Sequence, residues 1–170
     1  MKSSKKIALC GISSAIGSIF LSIILIAPTG KLSLFVLSSI AVMIPLSKKL
    51  YGGAALTVLA TSAIGFITGG LLVYLPYILV FGIHPLINAV LDKYIKNKNG
   101  TIIKTAIKLV YFIGVLYLLY TLAYISDLFL VEIKFYILAI IVAVAFIPYD
   151  YLLRAVQKRI DYLLQKYIKF

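Results

Sequence analysis

Apolar residues occur along this chain in long uncharged runs, separated by short polar or basic segments. The first run extends from Ile7 to Ala27, twenty-one residues without a charge, and an apolar helix of about twenty residues spans a bilayer. The run from Leu32 to Leu46 is shorter and is followed by Ser47 and two lysines. The forty-two residues from Leu50 to Leu91 contain no Lys, Arg, Asp or Glu, which is too long for one crossing and suits two.

This pattern predicts an all-α polytopic membrane bundle that forms a single integral membrane domain over residues 1–170. The chain is expected to reverse between the third and fourth helices near Gly69, Gly70 and Pro76, because glycine and proline interrupt helices. The six predicted transmembrane helices cover about residues 7–27, 31–47, 50–69, 72–91, 101–126 and 135–153. Residues 154–170 then predict an amphipathic helix along the inner membrane surface, the alternative being a frayed extension of the last span.

Composition places the chain outside the soluble class of proteins. Hydrophobic residues make up 63% of it, charged residues 13%, and the mean hydropathy is +1.10, so too few polar side chains remain to cover a water-facing surface. Its one cysteine, Cys10, excludes disulfide frameworks and cysteine-based metal sites. The composition therefore predicts an integral membrane protein.

The basic residues behind the net charge of +12 lie mostly in segments that are predicted to be on one side of the membrane. With the N-terminus inside, fifteen of the 17 basic residues fall on the cytoplasmic side, Lys104, Lys108 and Arg154 among them. Only Lys31 and Lys134 fall outside. This asymmetry predicts that both termini are cytoplasmic, and it makes anionic lipid headgroups in the bilayer the expected partners and nucleic acid an improbable one.

Two lines of small residues predict close helix contacts, because helices in a bilayer associate where their backbones can approach. The line on the first helix is predicted to meet a helix of this chain or of a partner protein, and that on the third to pack internally. For either line, the alternative to contact with a partner protein is simple packing within the chain. The first line consists of Ala8, Gly11, Ala15, Ser18 and Ser22, and the second of Ala54, Thr57, Thr61, Gly65, Thr68 and Gly69.

Aromatic and polar side chains in the fourth and fifth spans are candidate ligand contacts. Three tyrosines at helical spacing lie toward the outer end of the fifth span, and two flank Pro76 at the start of the fourth. They form either an interfacial aromatic belt or the wall of an outward pocket for a flat small molecule. A histidine near mid-membrane is a candidate functional residue or a structural hydrogen-bonding group. The candidate set is Tyr74, Tyr77, His84, Asn88, Tyr117, Tyr120 and Tyr124.

The remaining charges and motifs do not indicate catalysis. Asp150 and Arg154 are four residues apart on the sixth span, in the favourable order for a structural helical ion pair. The sequence contains no phosphate-binding loop and no HExxH motif, and it offers no set of polar groups from which an intramembrane enzyme site is built. We therefore expect no enzymatic activity, no cofactor and no metal site.

Several of these features resemble the substrate-binding S-component class of energy-coupling factor transporters. They are the chain length, the six predicted spans with both termini inside, the small-residue pair Gly11 and Ala15, and the turn from Pro28 to Gly30. The resemblance implies that a vitamin or other micronutrient binds near the outer face. It also implies that the first helix docks a shared transmembrane coupling protein, which separate ATPase subunits drive.

Two other resemblances extend this picture. The stretches APTGKLSLF and LPYILVFGI, within residues 31–93 and their flank, are similar to a group of small Firmicutes membrane proteins, which implies a bacterial cell membrane and supplies no function. In size and span count the chain is also similar to the rod-shape determining membrane proteins. That similarity implies the alternative function, a non-enzymatic membrane scaffold in cell-envelope or cell-shape assembly.

The predicted orientation can be tested with reporter fusions. Alkaline phosphatase, which is active only outside the cytoplasm, should be inactive when fused after Phe170 and active when fused after Lys31, because basic residues favour the cytoplasmic side. Phosphatase activity after Phe170 would contradict the combination of a cytoplasmic N-terminus with an even number of crossings.

Overall fold

A computed structural model describes residues 3–27, 29–95, 100–125 and 134–167, and the regular structure in these residues is entirely helical. This confirms the predicted all-α class. The elements are α1 (Ser3–Ile26), α2 (Lys31–Ser47), α3 (Tyr51–Gly69), α4 (Leu71–Pro76), a π-helical segment (Tyr77–Gly82), α5 (Ile83–Tyr94), α6 (Gly100–Ile125) and α7 (Phe135–Tyr167).

Among the described residues, four helical stretches are long and apolar enough to cross a membrane: Ser4–Ile26, Tyr74–Tyr94, Gly100–Leu122 and Phe135–Leu164. Two apolar helices, Lys31–Ser47 and Tyr51–Ile67, are shorter. The apolar helices support a membrane location, as the composition predicts. At a rise of about 1.5 Å per residue, the 17 residues of α2 extend about 25 Å, less than the ~30 Å hydrocarbon core.

The chain forms two compact units, each of which is described by itself. The first contains the described residues of 1–90 and 153–170, and the second those of 91–152. In the first unit, α1 packs against both α2 and α3. This packing depends on Gly17, since a Cβ atom added there would lie 2.6 Å from Thr61 Cγ2 on α3. At the same residue, the Ser38 hydroxyl of α2 donates a hydrogen bond to the Gly17 carbonyl oxygen at 3.0 Å.

The chain turns between α3 and α4 at Gly70, which has φ +81. Only glycine adopts such a φ without strain. A Cβ atom added at Gly65 would lie 2.9 Å from Tyr74 Cδ1, so the two sides of the turn fold back on each other. The turn falls where the glycines predict it.

A π-helical segment follows α4 directly and continues into α5. The Ile83 N–H donates to the Ile78 carbonyl, five residues back, in place of the four of an α-helix. The wider turn lies between two residues without an N–H, Pro76 and Pro85, where the regular ladder of hydrogen bonds is already interrupted. Such π-turns within α-helices often occur at functional positions.

The C-terminal segment differs from the sequence prediction in its boundary. α7 continues without a break across residues 153 and 154 to Tyr167, 33 residues in all, because no glycine or proline occurs after Pro148 to end it. Within the first unit the Lys48 ammonium donates to the Leu164 carbonyl oxygen at 3.4 Å. The predicted amphipathic segment is thus the end of a long helix, joined to the C-terminal end of α2.

The close approach at Gly17 can be tested by adding a single methyl group. The variant Gly17→Ala should destabilise the protein by about 1–3 kcal/mol, as overpacking does, because Thr61 Cγ2 occupies the space. Thermal unfolding in detergent measures the change. Gly114→Ala on α6 is the control, since its Cβ would meet nothing within 4 Å.

Adding Thr61→Ser to the Gly17→Ala variant removes Cγ2 and keeps the hydroxyl. The double variant should therefore regain much of the stability that Gly17→Ala loses. Equal melting temperatures for Gly17→Ala and the wild type would contradict the proposed contact.

Candidate functional site

The small-residue line on α1 divides into an exposed and a covered half. Ala8, Gly11 and Ala15 are exposed, and a Cβ atom added at Gly11 would meet nothing within 4 Å. Ser18 is buried and Ser22 is half-buried. The first three turns of this line therefore form an open surface, which we call the α1 outer face and define by Ala8, Gly11 and Ala15.

The face of α1 that contacts this chain's own helices was missed in the sequence. Leu9, Ser13, Gly17 and Leu21 are all buried and recur every four residues. Residues four apart lie on one side of a helix, so this spacing was a readable signal. It was masked by the equally regular line of small residues on the other side.

The line on α3 lies in the interior of the first unit. Ala54, Thr57, Thr61 and Gly65 are buried, and the Thr57 and Thr61 hydroxyls donate back to carbonyls one turn earlier, at 3.0 and 2.8 Å. These bonds satisfy the hydroxyls and let the threonine methyl groups pack. The side chain of Thr68 and the burial of Gly69 lie outside what the structure describes.

Two of the candidate ligand tyrosines are packing residues in the first unit. Tyr74 and Tyr77 are fully buried. The Tyr74 hydroxyl donates to the Leu21 carbonyl of α1 at 2.9 Å, and the Tyr77 hydroxyl lies 3.2 Å from Thr61 Oγ1 of α3. Phe35 of α2 contacts both rings, with centroids 6.5 and 6.0 Å away. The cluster ties the start of the fourth helical run to all three preceding helices.

His84 directly follows the π-helical segment and is fully buried. Its Nδ1 lies 3.4 Å from the Asn88 side-chain nitrogen, one turn later, so the two predicted polar residues form a pair. A buried polar group in a span needs such partners because hydrocarbon offers none.

The other candidate tyrosines belong to the second unit. Tyr117 is 60% exposed, and its ring meets Phe135 of α7 edge to face at 5.4 Å. Tyr120 also meets Phe135, at 5.5 Å. The side chain of Tyr124 lies outside the described residues. The candidate ligand set is therefore divided, with Tyr74, Tyr77, His84 and Asn88 in one unit and these tyrosines in the other.

The structure assigns Lys108 a role that sequence reasoning missed. Lys108 lies two turns inside α6 and is 1% exposed, where it forms an ion pair with Asp150 of α7, which is 3% exposed. The sequence had placed Lys108 among the cytoplasmic charges and paired Asp150 with Arg154; that second pairing stays a prediction. The signal was the position of Lys108 within an apolar run, where a charge needs a partner.

The buried pair should matter much more to stability than an exposed one. Asp150→Asn should lower the free energy of unfolding by about 3–5 kcal/mol, because it takes the opposing charge from a buried ammonium. The matched control is Asp92→Asn, since Asp92 is 67% exposed and pairs with Lys104 at 2.6 Å; surface pairs contribute about 0–1 kcal/mol. Chemical unfolding in detergent measures both changes.

Replacing both members together, as Lys108→Met with Asp150→Leu, should cost less than Asp150→Asn alone, because no buried charge remains. Equal effects of Asp150→Asn and Asp92→Asn would show that the buried pair has no special role.

The described residues do not meet the usual requirements of a metal site. No group of three or more His, Cys, Asp or Glu side chains among them is placed to hold a metal ion. Comparison with models of known protein families, with curated proteins and with solved structures finds no match. The function of the protein is therefore inferred from its own residues.

Proposed function

We propose that this protein is the membrane-embedded substrate-binding subunit of an uptake transporter of the energy-coupling factor type for a micronutrient. In this proposal the chain crosses a bacterial cytoplasmic membrane six times, with both termini inside, and docks a transmembrane coupling protein through α1. The observation that carries the proposal is the α1 outer face, which is exposed while the opposite side of the same helix is covered by α2 and α3.

The α1 outer face suits a helix as its partner. Lipid tails are as apolar as leucine, so helices associate in a bilayer by close packing, which small residues permit. At Gly11 a neighbouring backbone can approach without meeting a side chain, because even a Cβ atom there would have open space around it. The bulky neighbours Ile7, Ile12 and Ile19 are exposed beside it and supply the flanking apolar contacts.

The packing of α1 beside α3 supports the proposed topology. A Cβ atom added at Gly53, near the start of α3, would lie 2.5 Å from Cys10 Sγ, near the start of α1. The two helices therefore begin on the same side. This is expected if the chain crosses the membrane twice, through α1 and α2, before α3 begins. α2 is a few ångströms shorter than the hydrocarbon core, a mismatch that local thinning of the bilayer accommodates at modest cost.

The ligand-binding part of the proposal rests on aromatic residues of the second unit. Tyr117 and Tyr120 pack on Phe135 and leave Tyr117 exposed, which suits stacking against a flat small molecule. The buried Tyr74 and Tyr77 would then hold the helices in place without touching the ligand.

The second candidate function is a non-enzymatic membrane scaffold in cell-envelope assembly. It is favoured by the complete burial of Tyr74 and Tyr77, whose hydroxyls bond to this chain's own helices and not to an open site. A panel of vitamins and nucleobases separates the two functions, because a ligand of the folded state raises its melting temperature. Stabilisation by one compound supports the transporter subunit, and no response across the panel supports the scaffold.

Docking through the α1 outer face can be tested by affinity purification from native membranes. The wild-type protein should recover a transmembrane coupling protein and ATPase subunits, identified by mass spectrometry. The double variant Ala8→Leu with Ala15→Leu should lose them, because two added isobutyl groups keep a partner helix away from the backbone.

The matched control is Ala106→Leu with Ala145→Leu, which makes the same change at two exposed positions on α6 and α7. Unchanged recovery by the Ala8 and Ala15 variant, or equal loss in the control, would contradict docking through this face. Recovery of cell-envelope enzymes without ATPase subunits would favour the scaffold.

A further inference from the structure

A second open feature of the first unit is a groove between the first halves of α1 and α3. Its volume is about 780 Å³, within the range of about 300–1,000 Å³ that is usual for ligand clefts. The two helices meet at its base, where Cys10 Sγ leaves no room for a side chain at position 53. Gly11 and Gly52 line it above this contact, and a Cβ atom at either would meet nothing within 4 Å.

The groove has a basic end and an apolar body. Lys6 at the start of α1 and Lys49 at the turn before α3 both line it, and both side chains are exposed. None of the described residues that line it is acidic. Apart from Tyr51, its other lining residues are apolar or small, with Ile7 and Leu56 exposed along the walls. Two ammonium groups at the end of an apolar channel complement a molecule with an anionic head and a hydrocarbon tail.

The length of the groove matches one leaflet. It extends along α1 from Lys6 to Ser14, eight residues or about 12 Å at 1.5 Å per residue. The hydrocarbon core of a bilayer is about 30 Å thick, so one leaflet contributes about half of that. The two lysines then lie at headgroup depth, and Ser14 lies near the end of an acyl chain.

We propose that this groove binds one anionic phospholipid. Its phosphate lies between the Lys6 and Lys49 ammonium groups, and one acyl chain follows the channel over Gly11 and Gly52. The lipid comes from the leaflet on the side of these lysines, which the charge asymmetry predicts to be the cytoplasmic one. The groove shares Gly11 with the α1 outer face, whereas Ala8 and Ala15 belong to that face alone and do not line the groove.

Native mass spectrometry of the full-length protein in detergent tests the proposal. With equimolar palmitoyl-oleoyl phosphatidylglycerol and phosphatidylcholine, the wild type should retain one phosphatidylglycerol in preference. Lys6→Ala with Lys49→Ala should weaken its binding about thirtyfold, the expected effect of two basic residues at an anionic headgroup. The control, Lys31→Ala with Lys158→Ala, removes the same charge at two exposed positions away from the groove and should bind as the wild type does.

A second variant tests the apolar channel independently of charge. Gly52→Leu should fill the channel, since a Cβ atom at this position would meet nothing within 4 Å, and it should lower retention of phosphatidylglycerol while circular dichroism shows unchanged helix content. Equal retention of the two lipids by the wild type, equal loss in the lysine control, or full retention by Gly52→Leu would each overturn the proposal.

A thiol placed in the groove gives a readout that does not depend on mass spectrometry. In Cys10→Ser with Gly52→Cys the cysteine at position 52 is the only thiol, because Cys10 is the single cysteine of the chain. Its alkylation by a maleimide should be slower with added phosphatidylglycerol than with phosphatidylcholine, and equal rates would overturn the proposal. Cross-linking of two copies through this thiol in phosphatidylglycerol would also overturn it, since a second chain would then occupy the groove.

The experiments distinguish a failure of the lipid proposal from a failure of the docking proposal. Ala8→Leu with Ala15→Leu should retain phosphatidylglycerol even where it loses the coupling protein. A result in which the lipid is retained and no partner is ever recovered counts against the proposed function and leaves the lipid site supported.

Discussion

The packing of the first unit depends on how closely α1 approaches α2 and α3. Hydrophobic attraction does not hold helices together in a bilayer, because lipid tails are as apolar as the side chains they would displace. Association must come from packing and hydrogen bonds at short range. Gly17 provides both: its missing side chain makes room for the Thr61 methyl group, and its carbonyl accepts a hydrogen bond from Ser38.

This constraint divides α1 into two sides with different roles. The inner side contacts the chain's own helices through residues that recur every four positions, from Leu9 to Leu21. The outer side then has no helix of the first unit left to meet, and its small residues Ala8, Gly11 and Ala15 are exposed. Both proposals follow from this division, since partner docking uses the outer side and the lipid groove lies between the first halves of α1 and α3, beside the contact of Cys10 with Gly53.

Polar groups in the two units are satisfied in different ways. In the first unit, hydroxyls of Tyr74, Tyr77 and Thr61 bond to neighbouring helices or to their own backbone. In the second unit a full ion pair, Lys108 with Asp150, lies almost completely buried between α6 and α7. Each arrangement meets the same requirement, because a polar group within hydrocarbon has no water to bond with. The ion pair fixes which faces of α6 and α7 meet, since either charge alone would be costly there.

The sequence by itself determined the helical class, the long apolar helices and the turn at Gly70. These features depend on run length, composition and single residues such as glycine, which act locally. The tertiary structure decided which side of α1 is covered, because small residues occur on both sides and the choice depends on Ser38 and Thr61, far along the chain. It also brought Lys108 to Asp150, since these residues are 42 apart in sequence and meet only when α6 packs on α7. One sequence can show that a side of a helix is packed or that a buried charge needs a partner, but it does not name the distant residue that supplies the contact, so only the packed structure identifies it.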